Sequence, residues 1–428
     1  MWVRGWRRMK AEFVYDWVEP LEVPDGNLVG LYSPKEFTEI PDQDEVVREG
    51  MANPVGLGPL RDEVRDAETV LILADDVSRP TPAYRIIPHI LSELKAAGKA
   101  DGQVSFLMSL GTHRAMSDNE IDAKLGAGIR ERFVVANHRW DDSSIMVGMG
   151  RSSVGNEILV NRRVVESDFV IGIGNIVPHP AAGFAGGGKI VDPGCVSDET
   201  CGAFHWESVK FPAQEVVGVR DNPMTAMIDE VARKAGLKYI VNTIMDANAN
   251  IVRLVSGDPV AAHREGCTTA VDVYGVEIPE KADIVVCDSH PADIEMWQGI
   301  KGLCTADLCM RDGGVVIMAT PCPEGASPEH PELEEYGYLN FVDTEKLVND
   351  GSISMVVGHH MVQGGRLIDR ARKVTLVSNH LTRELTEKLR YSYAESVREA
   401  FAEAMEMVGP DARVTVLRNA AELFPVVG

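Results

Sequence analysis

Short runs of apolar residues, many of them β-branched, recur along the chain and alternate with segments of helical periodicity. In the first half of the chain these runs lie at residues 69–74, 104–110, 133–136 and 168–174. Buried parallel strands typically read as continuous apolar runs, and the helical segments between them connect one strand to the next. The pattern therefore predicts an α/β fold with largely parallel sheets.

A second series of apolar runs begins after residue 280. Its members lie at residues 283–287, 314–319, 353–357, 374–377 and 413–417, and a long helical pattern covers residues 383–407. The chain has 428 residues, which is more than one hydrophobic core usually serves. We therefore expect two α/β domains, at residues 1–280 and 281–428.

The charge and the cysteine content exclude several classes of protein. A formal net charge of -23 repels phosphate backbones and anionic lipid surfaces, and no segment has the run of roughly 18 apolar residues that a membrane-spanning helix requires. The seven cysteines include no C-x-x-C pair, and the basic start of the chain lacks the apolar stretch of a signal peptide. We expect a cytoplasmic protein with reduced cysteines and with neither nucleic acid nor a membrane as its partner.

Polar segments follow directly on three of the predicted strands. Asp76 and Arg79 follow the first run, His113 follows the second and His179 follows the fourth. Ligands of parallel α/β sheets collect at the carboxyl ends of the strands, so we expect these segments to converge on one site. The Asp76 to Arg79 segment fits a solvated turn or, equally, an arginine fork for a carboxylate or phosphate whose orientation the aspartate fixes.

The segment from Gly183 to Lys189 matches the pattern G-x-x-x-x-G-K. A phosphate-binding loop of that pattern continues with a serine or threonine that holds magnesium, whereas this chain has Ile190. Three consecutive glycines, Gly186, Gly187 and Gly188, permit close approach of the backbone to a bulky ligand. A lysine in such surroundings can be desolvated and made nucleophilic, which fits a covalently attached cofactor, although the segment alone also fits a solvated surface loop.

Three histidines lie in or near these segments: His113, His179 and His205. Their separations match no zinc-ligand pattern, so the sequence alone does not establish a metal site. Imidazole nevertheless suits both nickel coordination and proton transfer near neutral pH. The pair His359 and His360 has no assigned role.

In the second half of the chain, Gln298 and Lys301 are spaced to lie on one face of a helix. They present an amide and an ammonium together, or they belong to the start of an ordinary amphipathic helix.

Taken together, these segments resemble the nickel-dependent lactate racemase family, the nickel-pincer racemases and epimerases of 2-hydroxy acids. The resemblance extends from about Asp75 to Lys301, with the segments in the same order and at compatible spacing. It implies a nickel-pincer nucleotide, nickel pyridinium-3-thioamide-5-thiocarboxylic acid mononucleotide, joined to Lys189 through a thioamide. It further implies that His205 is the protein ligand to nickel and that His113 and His179 are the catalytic acid/base pair.

The same resemblance assigns the remaining polar residues. Asp76, Arg79 and the three glycines at 186–188 contact the cofactor, and Arg79 also binds the substrate together with Gln298 and Lys301. The family has two α/β domains with the active site in the cleft between them. Proteins that synthesise the cofactor and insert nickel are implied as partners.

The implied function is a racemase or epimerase that interconverts the enantiomers of a small 2-hydroxy acid such as lactate, malate or a related acid. The C–H bond beside an alcohol is too weakly acidic for a histidine to deprotonate, so hydride transfer through a 2-keto acid is the easier route. Arg79 and Lys301 would hold the substrate anion against the overall negative charge. The alternatives are a P-loop-like nucleotide-binding enzyme and a non-catalytic protein that binds a cofactor or ligand.

Overall fold

Two units, each built on a six-stranded sheet, make up the computed structural model, which describes residues 8–37 and 39–428. We call residues 35–273 the central unit, and we call residues 8–34 together with residues 274–428 the composite unit. The first seven residues, which contributed to the expectation that the chain has no signal peptide, lie outside the described residues.

The sheet of the central unit contains all four strands predicted in the first half of the chain. Its neighbouring strands are, in order, Ile251–Gly257, Leu237–Met245, Phe169–Asn175, Val70–Asp75, Val104–Ser109 and Val134–Asn137. All pairings are parallel except that of the edge strand Ile251–Gly257, which runs antiparallel to its neighbour. The strands at Val70–Asp75 and Phe169–Asn175 are buried along their whole length, as expected for parallel strands covered on both faces.

Helices connect these strands, and their apolar faces pack on the sheet. Ile86, Ile87 and Ile90 of helix Ala83–Ala96 are fully buried, in agreement with the helical spacing of the sequence. The α-helices of this unit are Gln43–Ala52, Leu60–Glu63, Ala83–Ala96, Asp118–Leu125, Ile129–Arg132, Arg162–Val165, Asp198–Ser208, Ala213–Val216, Pro223–Ala235 and Ala261–Tyr274. Two small antiparallel hairpins pair Met146–Arg151 with Glu157–Asn161 and Pro178–His179 with Gly183–Phe184.

The sheet of the composite unit is parallel throughout. Its strand order is Ser392–Tyr393, Lys373–Val377, Met310–Ala319, Ala282–Asp288, Val414–Leu417 and Leu28–Tyr32. Its α-helices are Met296–Cys309, Glu332–Tyr336, Phe341–Asn349, Met355–Arg370, Arg383–Lys388 and Val397–Val408. Two further pairs of strands are Arg8–Ala11 with Leu21–Pro24 and Gly275–Ile278 with Phe424–Val427.

The N-terminal segment differs from the expected division of the chain at residue 280. The chain enters the central unit at Lys35 and leaves it at Val273, so residues 8–34 belong with the C-terminal part. The physical reason is the pairing of Leu28–Tyr32 with Val414–Leu417, which adds an edge strand from the start of the chain. Such long-range pairing leaves no trace in local periodicity.

Two predicted elements of the second half are wrong. Residues 353–357, predicted as a strand, begin the helix Met355–Arg370, and the side chain of Ser354 accepts a hydrogen bond from the Val357 N–H as its cap. A short apolar run does not distinguish a strand from one turn of a buried helix. The single long helix predicted at residues 383–407 is interrupted by Arg390 in the left-handed region and by a short edge strand.

Among the residues that the structure describes, no helix is long and apolar enough to cross a membrane.

His138 provides a test of how the central unit responds to acid. Its Nε2–H donates to the Val196 carbonyl at 2.9 Å, and the Asn161 amide donates to Nδ1 at 3.0 Å, which together fix a neutral ring. Burial lowers the pKa of His138 to about 4. The unfolded chain, with a histidine pKa of roughly 6.5, then takes up the proton first, so stability present above that pH is lost as the pH falls towards the folded value.

Glutamine can donate and accept hydrogen bonds but does not titrate. We therefore expect His138→Gln to lose less stability on acidification than the wild type. At about 1.36 kcal/mol per pKa unit the difference is about 2 to 3 kcal/mol. The measurement is the free energy of unfolding in urea at about pH 7 and about pH 4.5. His380→Gln, at an exposed position, is the matched control; parallel losses in wild type and His138→Gln would contradict the assignment.

Candidate active site

The loop after the strand Val70–Asp75 orients a histidine through a buried carboxylate. Asp76 is 5% exposed, and its Oδ2 lies 2.5 Å from His113 Nδ1. Its Oδ1 accepts from the backbone N–H of Ser78 at 3.1 Å and from the Ser78 hydroxyl at 2.5 Å. Burial acts to raise the pKa of Asp76, but His113, Arg79 and Ser78 outweigh it and hold the pKa well below its ordinary value.

An ionised Asp76 is a hydrogen-bond acceptor only, so Nδ1 of His113 must donate to it. In the neutral ring the lone pair is then on Nε2. The structure therefore joins Asp76 and His113, as the sequence predicted for strand-end residues, and it defines the tautomer of the neutral His113 ring.

Lys124, which the sequence analysis did not identify, holds this loop in place through its ammonium group. Its buried ammonium pairs with Asp75 Oδ1 at 2.7 Å and donates to the carbonyls of Asp76 at 2.9 Å and Arg79 at 2.8 Å. The Thr81 hydroxyl donates to Asp75. The helix that follows begins at Ala83, with Pro82 as its cap residue.

The glycine-rich segment forms a short 3₁₀ turn, Gly187–Ile190, beside the sheet. A Cβ at Gly187 would lie 2.7 Å from the His263 ring, and a Cβ at Gly188 would lie 2.9 Å from Ala232 and Ile228. A Cβ at Gly186 would likewise lie 2.7 Å from Ile176. Packing against protein atoms therefore explains these glycines, and their contact with a cofactor stays a prediction.

Lys189 is partly exposed, yet the protein around its ammonium perturbs it strongly. Burial, assisted by the charge of Arg79, lowers the pKa of Lys189 to about 7, against the opposing effects of Cys201 and Asp192. Its Nζ lies 5.5 Å from the centroid of the Phe204 ring. A large fraction of this amine is therefore neutral and nucleophilic near neutral pH.

Asp192 is a second residue that the sequence analysis missed. It is 1% exposed, and its Oδ1 has no hydrogen-bond partner within the described part of the chain. Burial raises the pKa of Asp192 to about 7, and the charge of Lys189 opposes that rise. An aspartate before a proline reads in sequence as a turn, so only the fold reveals that this carboxyl acts on Lys189.

The helix Asp198–Ser208 carries His205, and Nδ1 of this histidine is hydrogen-bonded to the helix backbone. His205 Nδ1 lies 2.8 Å from the carbonyl oxygen of Cys201, one helical turn earlier, and 3.4 Å from the Cys201 sulfur. Donation from Nδ1 to the carbonyl places the lone pair of the neutral ring on Nε2, which is the tautomer needed by a metal ligand. Burial raises the pKa of Cys201 well above its ordinary value, so this residue is a thiol.

His179 lies in the hairpin of Pro178–His179 with Gly183–Phe184 and is 8% exposed. Its Nδ1 accepts a hydrogen bond from the backbone N–H of Ala181 at 3.1 Å. The hairpin requires a glycine at its far end, because a Cβ at Gly183 would lie 2.3 Å from the Val219 carbonyl oxygen.

Short contacts and charge effects link most of the predicted site residues of the central unit. Asp76 contacts His113, the charge of Arg79 acts on Lys189, and Lys189 lies beside the helix that carries His205. His179 follows the strand next to Val70–Asp75 in the sheet, so it belongs to the same edge. That His113 and His179 form the catalytic acid/base pair stays a prediction.

In the composite unit, Gln298 and Lys301 lie on one face of helix Met296–Cys309, as their spacing predicted, with Lys301 Nζ 2.5 Å from Gln298 Oε1. Trp297 is stacked between His330, at 4.1 Å between ring centroids, and His360, at 4.0 Å. His360 Nε2 also donates to the Trp297 carbonyl at 2.8 Å. His360 therefore has a structural role in holding the first turn of this helix, and the substrate contacts of Gln298 and Lys301 stay predictions.

A carboxylate-oriented histidine and a lysine with a pKa near neutrality, at the carboxyl edge of a parallel sheet, define an enzyme of the α/β class. Comparison with known families supports a more specific assignment. The lactate racemase N-terminal domain matches residues 16–216, and the lactate racemase C-terminal domain matches residues 278–424. The chain therefore belongs to the lactate racemase family and is an enzyme of the isomerase class.

Individual relatives agree with the family match. The lactate racemase of Thermoanaerobacterium thermosaccharolyticum is 27% identical over 424 residues, covering 94% of this chain and 96% of the relative. The lactate racemase of Lactiplantibacillus plantarum is 28% identical over 383 residues, covering 88% of this chain and 89% of the relative.

Solved structures show the same fold. The lactate racemase apoprotein from Thermoanaerobacterium thermosaccharolyticum matches with a TM-score of 0.87 at 26% identity, over 98% of this chain and all of that one (100%). A Thermotoga maritima protein matches with a TM-score of 0.72 at 20% identity, over 91% of this chain and 100% of that chain. The second likeness shows the fold alone.

Acylation by an amine-reactive reagent tests the perturbed lysine. We expect the acylation rate of Lys189 to be half-maximal at about pH 7, because its pKa is lowered to about 7. Asp192→Asn removes a charge that raises this pKa, so the midpoint for Lys189 moves to lower pH. Peptide mass spectrometry across a pH series measures the modified fraction.

Lys238, an exposed lysine of the same unit, controls for reagent quality, and thermal unfolding of Asp192→Asn controls for its fold. A midpoint for Lys189 that is unchanged or higher in Asp192→Asn contradicts the proposed coupling of the two side chains.

Proposed function

We propose that this enzyme interconverts the enantiomers of a small 2-hydroxy acid, such as lactate, malate or a related acid, with a nickel-pincer nucleotide attached to Lys189. The observation that carries the proposal is the adjacency of Lys189, whose pKa is lowered to about 7, to the helix that presents His205 in a metal-binding tautomer. Membership of the lactate racemase family, whose named relatives are lactate racemases, supports it.

The residues fit the cofactor in two respects. A neutral lysine amine is the nucleophile needed for covalent attachment, and His205 Nε2 is a nickel donor of suitable type. Within residues 8–37 and 39–428, no three His, Cys, Asp or Glu side chains are arranged to hold a metal ion, so the other nickel ligands would come from the cofactor. When bound, this group supplies a reversible hydride acceptor, which allows the substrate to pass through a planar 2-keto acid.

The remaining chemistry falls to side chains of the protein. His113 accepts the hydroxyl proton at Nε2, and Asp76 stabilises the imidazolium that forms. His179 acts on the same hydroxyl oxygen as the second member of the acid/base pair. Arg79 and Lys301 bind the carboxylate, and Gln298 donates a hydrogen bond to the substrate. These local cations are needed because the net charge of -23 opposes the approach of an anion.

A nucleotide-binding loop is disfavoured by the conformation of the glycine segment. The Gly187 N–H donates to Asn242 Oδ1 at 2.7 Å, and the Lys189 N–H donates to the Gly186 carbonyl at 3.1 Å, so these groups are engaged within the protein. Ile190, which replaces the magnesium-binding hydroxyl, is buried against Gly172. A non-catalytic binding protein is distinguished by the turnover assay below.

The proposal is tested on protein made in a host that synthesises the cofactor. We expect a mass adduct on Lys189 and about one nickel per chain, because the proposed site holds one ion. Purified protein is then incubated with single enantiomers of lactate and malate, and the opposite enantiomer is measured by chiral chromatography. Lys189→Ala should lack adduct and activity, whereas Lys238→Ala should keep both; no adduct and no nickel in wild type would refute the proposal.

Asp76→Asn tests the orientation of His113. An amide can donate to Nδ1 and so favours the tautomer with its proton on Nε2, which cannot accept the substrate proton. We expect kcat to fall on the order of 10²- to 10⁴-fold, the usual contribution of a general base. Steady-state racemisation of loaded protein measures this, with the mass adduct as the control for loading; a change in KM alone would contradict the role.

A further inference from the structure

We propose, in an inference that rests on the proposed function, that Asp192 carries the protons when the cofactor becomes attached to Lys189. Its carboxylate takes protons from the Lys189 ammonium and delivers them to the oxygen that leaves a thiocarboxylate of the cofactor as water. The chain thus catalyses its own modification, in a reaction separate from racemisation.

The two side chains lie on one side of a continuous turn. The 3₁₀ turn Gly187–Ile190 is extended by a further helical residue, and the Asp192 N–H donates to the Gly188 carbonyl at 3.1 Å. The Gly194 N–H donates to the Lys189 carbonyl at 3.2 Å, which closes the turn. Side chains three residues apart in such a turn project in the same direction, and Lys189 and Asp192 have this spacing.

The Asp192 carboxyl acts from within the protein, whereas the lysine beside it can be reached by a ligand. Asp192 is 1% exposed, and Lys189 is partly exposed. Within the part of the chain that the structure describes, Oδ1 of Asp192 has no hydrogen-bond partner. Buried polar atoms are rarely left in that condition, because it costs stability. This oxygen is therefore available to accept a proton.

The other titratable or charged groups at the turn are unsuited to carrying a proton near neutral pH. Arg79, whose charge acts on Lys189, stays protonated. Burial raises the pKa of the Cys201 thiol well above its ordinary value. Burial also lowers the pKa of His263, whose ring lies beside the glycine segment, to about 4.

Asp192 differs from these groups because its proton affinity matches that of the lysine. Burial lowers the pKa of Lys189 to about 7 and raises the pKa of Asp192 to about 7. A proton passes readily between two groups of equal pKa, in either direction. The pair can therefore hold a proton on either the amine or the carboxyl as the reaction requires.

The atoms and charges balance without a further reactant. A bond forms between Lys189 Nζ and the thiocarboxylate carbon, and the bond from that carbon to oxygen breaks, while the sulfur stays in the thioamide. Of the ammonium protons, one remains on nitrogen, and the others pass through Asp192 to the oxygen, which leaves as water. The ammonium and the thiocarboxylate become one neutral group, so a buried setting favours the product.

Two possible roles of Asp192 predict opposite effects of Asp192→Asn. If the carboxylate only raised the pKa of Lys189, its removal would leave more neutral amine and speed the attachment. If it carries the protons, its removal slows the attachment, because the leaving oxygen then lacks a proton donor. An acylating reagent with a good leaving group needs no such donor, so its reaction with Lys189 reports on the amine alone.

Attachment can be followed without measuring racemisation. Purified apoprotein is incubated with the purified nickel-pincer nucleotide, its thiocarboxylates free, and the mass of the intact chain is recorded over time at about pH 7. We expect the wild type to gain the mass of the nucleotide less one water. We expect Asp192→Asn to react on the order of 10²-fold more slowly, the lower end of the usual contribution of a positioned acid/base group. Its acylation by the simple reagent should not be slowed.

Matched variants and a pH profile separate this role from a structural one. Asp66→Asn, at an exposed position of the same unit, should react at the wild-type rate. Asp192→Glu keeps a carboxyl and should react faster than Asp192→Asn, with thermal unfolding as the control for the fold of each variant. The wild-type rate should be greatest at about pH 7, where the pair holds one proton. This maximum is measurable even if Asp192→Asn does not fold.

Attachment to Asp192→Asn at the wild-type rate, or a wild-type rate that rises steadily with pH, would overturn the proposal. If the wild type carries the adduct but racemises no 2-hydroxy acid, the proposed function fails, while the role of Asp192 stands. If the wild type forms no adduct with the nucleotide, both fail.

Discussion

The candidate site depends on the contacts that the buried ammonium of Lys124 makes with one loop. Three oxygens of one loop, from Asp75, Asp76 and Arg79, converge on this charge. Because a buried ammonium is stable only when its donors are satisfied, the loop has little freedom to change shape. The position of the Asp76 carboxylate, and through it the tautomer of His113, thus depends on the buried Lys124.

Backbone groups lie opposite Nδ1 in the other two histidines of the candidate site. A carbonyl of helix Asp198–Ser208 orients His205, and an amide of the hairpin orients His179. Main-chain groups neither titrate nor change from donor to acceptor, so each of these contacts favours one tautomer of the neutral ring. The three rings therefore differ in the group that lies opposite Nδ1.

The sequence allowed the strand-end residues to be identified, because continuous apolar runs mark parallel strands and the segments after them are distinctive. Asp76 and His113 meet as expected for neighbouring strands. Lys124 and Asp192 could not be found in this way, since each acts through contacts that the fold creates. The stacking of Trp297 between His330 and His360 was equally hidden, and residues 353–357 were misread because one apolar helical turn resembles a strand. Local patterns therefore specify elements and their ends, whereas the partners that tune a side chain depend on long-range packing.

The composite unit has a consequence for the order in which the protein forms during synthesis. Its sheet includes Leu28–Tyr32 from near the start of the chain, paired with Val414–Leu417 from near its end. The residues of the central unit are consecutive, so they can fold as soon as they leave the ribosome. The early strand must wait, unpaired, until almost the whole polypeptide has been translated, and an mRNA truncated near its 3′ end would yield a folded central unit with an incomplete companion.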